Sequence, residues 1–152
     1  MTTKEVNIYI ETSIKSLKRQ NGTVGYVLEI QTEKGPATLT KIEPAINVTD
    51  NQAQIIALTK ALARINEPCR LAIYTESNYL ASAYTLNWID KWKQNSWQNA
   101  KGKMIANCKE WSELDKRLKE HTFYFCVQQN HEYREWLRSE TERKAKEMDK
   151  DV

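Results

Sequence analysis

Ile8-Tyr9-Ile10-Glu11-Thr12-Ser13 (8–13) returns later in the chain as Ile73-Tyr74-Thr75-Glu76-Ser77 (73–77). Both stretches are rich in Ile and Tyr, the residue types that fit a pleated, half-buried surface. Each places a glutamate at the C-terminal end of a Tyr-bearing strand, followed by a hydroxyl residue. Parallel neighbours would release both carboxylates at one sheet edge, about 4.8 Å apart in strand spacing. Open α/β sheets build their sites at that edge. One glutamate at a strand end is an ordinary solvated side chain. Two in the same frame form a candidate cation site.

The rest of the chain supplies the sheet in which the two strands would sit. Val6–Thr12, Thr23–Gln31 and Ala37–Ile42 read as strands, the last two joined by a turn at Glu33-Lys34-Gly35-Pro36. Thr49-Asp50-Asn51-Gln52 has capping-box form and opens a helix carrying Ile55, Leu58, Leu62 and Ile65 at helical spacing. Glu67-Pro68 stops it. Arg70–Thr75 is the fourth strand, Ser77–Tyr84 reads as helical, and Asn87–Asn95 carries Trp88 and Trp92 at i, i+4. Asn107 is placed to cap a helix with Trp111, Leu114 and Leu118 on one face, and Phe123–Gln128 is the fifth strand. A charged helix then runs from Tyr133 to about Met148, with Leu137, Thr141, Ala145 and Met148 inward. This order predicts a mixed α/β fold in one domain, residues 1–148. Its five-stranded sheet has three antiparallel strands and then two parallel ones, with helices on both faces. Residues 149–152 are expected to fray.

Composition excludes several classes. The 152 residues carry 23 Lys+Arg against 20 Asp+Glu, a net +3, with 40% hydrophobic residues. That is neither a polycation nor a disordered acidic chain, and it is enough apolar material for one core. The N-terminus lacks the apolar segment of a secretory signal, and no run approaches the length of a membrane helix. Cys69, Cys108 and Cys126 are odd in number and widely spaced, and the only histidines are His121 and His131. Neither a disulfide framework nor a zinc site is indicated. The expectation is a cytoplasmic monomer with no membrane partner.

The positive charge is concentrated. Residues 88–109 hold Lys91, Lys93, Lys101, Lys103 and Lys109 against one acid, Asp90, and Lys15, Lys18 and Arg19 lie close to the first glutamate. Lysines interleaved with tryptophans suit a surface that neutralises phosphates. For Trp88, Trp92 and Trp111, at helical spacing, core packing is the better reading. The terminal segment mixes six basic and seven acidic residues between Glu132 and Val152 and reads as a solvated face.

Four stretches together resemble the ribonuclease H family in its small, single-domain bacterial form, over nearly the whole chain. They are IYIETS (8–13), TDNQAQ (49–54), IYTESNYL (73–80) and the Trp- and Lys-bearing run from NWIDKWKQNSW to CKEW (87–111). The last matches a basic insertion called the handle, here 87–109. The resemblance implies cleavage of the RNA strand of RNA–DNA hybrids by two Mg²⁺ ions held on four carboxylates. It puts the catalytic and metal-binding positions at Glu11, Gln54, Glu76 and Glu140. All four depart from the family pattern: three aspartates have become glutamates, and the one glutamate has become Gln54. Each added methylene moves a carboxylate outward by about 1.2–1.5 Å, and Gln54 brings no charge. The loop Val127-Gln128-Gln129-Asn130-His131-Glu132 lacks the family's two glycines. Asn130 aligns with the family's mobile histidine; His131, one place later, could serve after a shift, and otherwise reads as a solvent-facing loop residue.

The resemblance also implies nucleic-acid contacts from Asn51, Lys91, Trp92, Lys93, Trp97, Lys101 and Lys103. Two readings follow. One is a hybrid-cleaving nuclease holding Mg²⁺ or Mn²⁺, one ion or two. The other is a module that binds hybrid or another duplex, or docks in an assembly, with catalysis impaired or lost.

Overall fold

The computed structural model describes residues 3–150. Its strands are β1 (Lys4–Thr12), β2 (Gln20–Thr32), β3 (Gly35–Val48), β4 (Cys69–Thr75) and β5 (Thr122–Val127). The helices among the described residues are α1 (Asp50–Leu62), α2 (Asn78–Thr85), α3 (Trp88–Gln94), α4 (Cys108–Leu118) and α5 (Arg134–Lys150). One sheet of order β3-β2-β1-β4-β5 forms, antiparallel from β3 to β1 and parallel from β1 to β5. The expected fold class is therefore the observed one.

Several boundaries differ from the sequence reading, each for a physical reason. β3 runs on to Val48, through Pro44, because it is an edge strand on which a missing N–H costs no ladder bond. The turn before it contracts to Glu33-Lys34, with Gly35 already paired to Thr32 at φ 111°. α1 keeps its capping box: the Gln52 amide donates to Thr49 Oγ1, and Gln52 Oε1 accepts from the Thr49 amide. It ends at Leu62, leaving Ile65 beyond the helix. Asn107 precedes α4 in a left-handed conformation and makes no side-chain cap; its amide donates to the Tyr79 hydroxyl instead. α5 continues through Asp149 and Lys150, past the boundary expected at Met148, whereas Asp151 and Val152 lie outside the described residues.

The sheet buries two unequal faces. Against α1, α2 and α4 lies the main core, with Ile8, Ile10, Tyr26, Ile55, Leu58, Leu71, Ile73, Leu80, Trp111 and Leu114 all buried. Each such side chain stabilises the fold by about 1.5–3 kcal/mol. The other face is smaller: Tyr9, Val27 and Leu137, flanked by Ile42, Tyr74 and Tyr133, under α5. Gly25 is what lets α5 approach. A Cβ there would come within 2.5 Å of Ile42 Cδ1 and 3.0 Å of Thr141 Cγ2. The same crossing is tied by the Thr23 hydroxyl, which donates to the Thr141 carbonyl at 2.6 Å.

Gly25→Val should therefore overpack the crossing and destabilise the protein by about 1–3 kcal/mol in urea unfolding. An unchanged unfolding midpoint would contradict this account of how α5 docks.

Candidate functional site

β1 and β4 pair in parallel register, with Tyr9 opposite Tyr74. Two residues further along each strand stand Glu11 and Glu76, so the pairing carries both to one end of the sheet. They line a single small cavity with Ile10, Tyr74, Thr75, Gln129, His131, Arg134 and Leu137. The sequence echo thus marks a real juxtaposition.

The other predicted positions divide. Gln54 is buried on α1, beneath β4: its Oε1 accepts from the Thr75 hydroxyl at 3.1 Å, and its amide donates to Asp50 at 3.4 Å. Glu140 does not line the cavity. Its carboxylate is taken by Arg143 on the same helix at 2.7 Å, rather than by Lys144. His131 is half-buried, not solvent-facing. Its ring lies 4.4 Å from Tyr9 and 5.6 Å from Tyr74, centroid to centroid.

Both cavity glutamates already have cationic partners. Lys15 Nζ sits 2.6 Å from Glu11 Oε1, which also accepts from the Thr12 amide at 3.0 Å. Glu11 is only 3% exposed, so Lys15 covers it from the solvent side. The Arg134 guanidinium lies 2.7 Å from Glu76. These partners were not read from the sequence. The i, i+4 spacing of Glu11 and Lys15 was available as a signal, but nothing tied Arg134 to Glu76.

The residues present do not fit a pair of divalent ions. Among the described residues, no group of three or more His, Cys, Asp or Glu side chains is placed to hold a metal. Each of the four positions expected from the resemblance spends an oxygen on a protein donor: Lys15, Thr75, Arg134 or Arg143. Displacing Lys15 leaves the nearly buried Glu11 carboxylate without its compensating charge unless something replaces it.

A second polar centre lies behind the cavity and was missed. Glu29, on β2, is 4% exposed and accepts from Asn7 Nδ2 at 3.0 Å, the Tyr9 hydroxyl at 3.1 Å and the Tyr133 hydroxyl. Burial alone would raise its pKa, but the hydrogen bonds from Tyr133, Asn7 and Tyr9 outweigh that and leave it lowered. In return the two phenols are held protonated, Tyr9 by burial and then Glu29, Tyr133 chiefly by Glu29. A glutamate inside the apolar run TVGYVLEIQ was the signal that could have found it. Because Tyr133 also donates its amide to His131 Nδ1 at 3.2 Å, Glu29 anchors the whole loop ahead of α5.

The handle is stapled on by its tryptophans. Trp111 is fully buried, and Trp88, Trp92 and Trp97 are half-buried against the main core. Trp92 lies 5.8 Å from Trp111 and 6.3 Å from Trp97. Lys93 is bound at 2.6 Å to Asp115, so it helps fasten the handle to α4. Lys91, Lys101 and Lys103 are exposed, the last two in a turn whose amides donate to Asn99 Oδ1. Asn51 is half-buried in the first turn of α1.

Comparison with known proteins places this geometry in context. A family model described as RNase H matches residues 3–135, a span that stops short of Glu140. A curated protein named Ribonuclease H from Clostridium botulinum (strain Hall) is 30% identical over 136 residues, 88% of each chain. Another of that name, from Chlorobium chlorochromatii, is 39% identical over 77 residues, covering 51% of this chain and 53% of its own. Among solved structures, LC9-RNase H1, described as a type 1 RNase H with the type 2 active-site motif, superposes with a TM-score of 0.77 at 18% identity. That match covers 96% of this chain and 74% of LC9-RNase H1. The foamy viral protease-reverse transcriptase in complex with RNA/DNA hybrid gives 0.66 at 16% identity, covering 99% of this chain and 20% of its own.

Stability should fall as the pH is lowered below about 6.5. Burial holds His131 below its ordinary pKa, Arg134 pushes the same way, and Glu11 and Glu29 oppose them. Burial also lowers His121, whose Nδ1 accepts from the Cys69 amide. The unfolded chain therefore takes up these protons first, and the loss is complete below the folded values. Glu29, also lowered, adds a second loss as the pH falls from 4.5 through its folded value. Urea unfolding of His131→Gln should show a shallower loss between about pH 7.5 and 5.5 than the wild type. An identical slope would contradict the lowered pKa of the half-buried His131.

Proposed function

The chain belongs to the ribonuclease H family, and from that premise we propose that it is a hybrid-binding member whose metal-dependent cleavage is lost or strongly reduced. The observation that carries this reading is the pairing of both cavity glutamates with protein cations, Glu11 with Lys15 and Glu76 with Arg134. Family members generally use a divalent metal such as Mg²⁺. In this chain the carboxylates that would receive it are engaged, Gln54 is neutral, and Glu140 faces Arg143.

Binding rests on different residues. Exposed Lys91, Lys101 and Lys103 on the handle, with Lys18 on the β1–β2 loop, offer positive charge to phosphates. Trp92 and Trp97 are half-buried against the main core and fasten the handle to it. Asn51 lies in the first turn of α1, and Arg19 is fixed by the Asn47 carbonyl at 2.9 Å and Gln52 Oε1 at 3.2 Å. A foamy viral relative of the same fold is known in complex with an RNA/DNA hybrid, which supports the choice of that duplex as ligand.

Two assays test the proposal. Hybrid binding by fluorescence anisotropy should weaken steeply with salt, and Lys101→Ala/Lys103→Ala should reduce the log–log salt slope by about 1–2. Hydrolysis of labelled hybrid in Mg²⁺ or Mn²⁺ should run at least about a hundredfold slower than for a ribonuclease H that retains its four acids. Rapid cleavage that disappears in Glu76→Gln would overturn the proposal in favour of an active nuclease. Absence of any salt-sensitive hybrid binding would overturn the ligand assignment.

A further inference from the structure

We propose that Lys15 and Arg134 are resident counter-ions, taking over the charge role that the family gives to divalent metal, so that the Glu11–Glu76 edge receives nucleic acid without a metal ion. The proposal rests on the reading of this edge as facing hybrid, and it adds how the edge is kept electrically ready.

Arg134 is not a casual surface partner. It is the first residue of α5, where the helix dipole disfavours a cation. Its place there is offset by Glu76 at 2.7 Å. Three contacts hold the loop that delivers it: the His131 ring packs tilted against Tyr9, Tyr133 donates to the buried Glu29, and the Arg134 amide donates to the His131 carbonyl at 3.3 Å. The backbone that carries Arg134 is therefore fixed beside Glu76. Lys15 is half-exposed, but its partner Glu11 is almost wholly buried and, among the described residues, pairs with no other cation.

Charge balance gives the consequence. Two carboxylates with no cation beside them would repel an approaching phosphate, and a metal-loaded site removes that repulsion with bound ions. Two glutamates paired with one lysine and one arginine are already neutral. A divalent ion arriving there would meet two cations, with no third acid lining the cavity among the described residues to receive it. Arg134 is also a fork of donors suited to a phosphate oxygen on its free edge.

Thermal melting and hybrid binding test this together. The wild type should melt at the same temperature in EDTA and in millimolar Mn²⁺, no differently from Glu11→Gln/Glu76→Gln. Its hybrid dissociation constant should change less than about twofold between EDTA and Mg²⁺, since no ion enters the site. In Lys15→Gln/Arg134→Gln the acids lose their partners: melting should fall, Mn²⁺ should raise it again, and hybrid affinity should become metal-dependent. The single variants should show the same trends in smaller measure. A wild type stabilised by Mn²⁺, with the gain abolished in Glu76→Gln, would overturn the proposal. So would hybrid binding that requires a divalent ion. If the double variant does not fold, the wild-type comparison in EDTA and Mn²⁺ decides alone. A chain that binds no hybrid under any condition would sink the ligand assignment above, while the melting comparison still decides the counter-ion role.

Discussion

Parallel, in-register pairing of β1 with β4 is the constraint from which the rest of the site follows. Once Tyr9 stands opposite Tyr74, Glu11 and Glu76 must leave the sheet side by side. Two like charges at that spacing are destabilising unless something neutralises them. A metalloenzyme meets the requirement with ions. This chain meets it with Lys15 and Arg134, and the surrounding structure is arranged to keep the second of these in place. Glu29, buried on the neighbouring strand, holds Tyr133; Tyr133 fixes the loop; the loop sets the first turn of α5 and so Arg134. Gly25 admits α5 close enough for that chain of contacts to close.

The handle shows a similar division of labour between fastening and display. Its tryptophans and Lys93 face the body, where Trp111 and Asp115 receive them, and its remaining lysines face solvent. A net charge of +3 conceals this segregation. The terminal helix carries nearly balanced charges and uses many of them on itself, as with Arg143 between Glu140 and Glu147. The positive field is therefore left to the handle and the β1–β2 loop.

Strand and helix order was legible in the sequence because it rests on local signals: period-2 apolar runs, the Thr49 capping box and helical spacing of Trp111, Leu114 and Leu118. The alignment of Glu11 with Glu76 was legible because the same pentapeptide pattern occurs twice. Positions governed by tertiary contact were not. His131 reads as a loop residue because the rings it packs against, Tyr9 and Tyr74, are remote in sequence. Glu140 is a metal position only by resemblance, and it stands on a helix whose start follows the preceding loop. The family match itself ends at residue 135, before Glu140. Asn107 has the right residue type for a cap, but a left-handed backbone turns its side chain toward Tyr79.

Lys15 and Arg134, rather than metal ions, balance the two glutamates at the sheet edge. Amide NMR of the isotopically labelled wild type, titrated with Mn²⁺, tests this most directly. Paramagnetic broadening acts only near a bound ion. The account predicts that the amides of Thr12 and Ser77, beside Glu11 and Glu76, broaden no more than those of exposed surface residues. Selective broadening of those two amides at low Mn²⁺ would place the ion in the cavity and contradict the account.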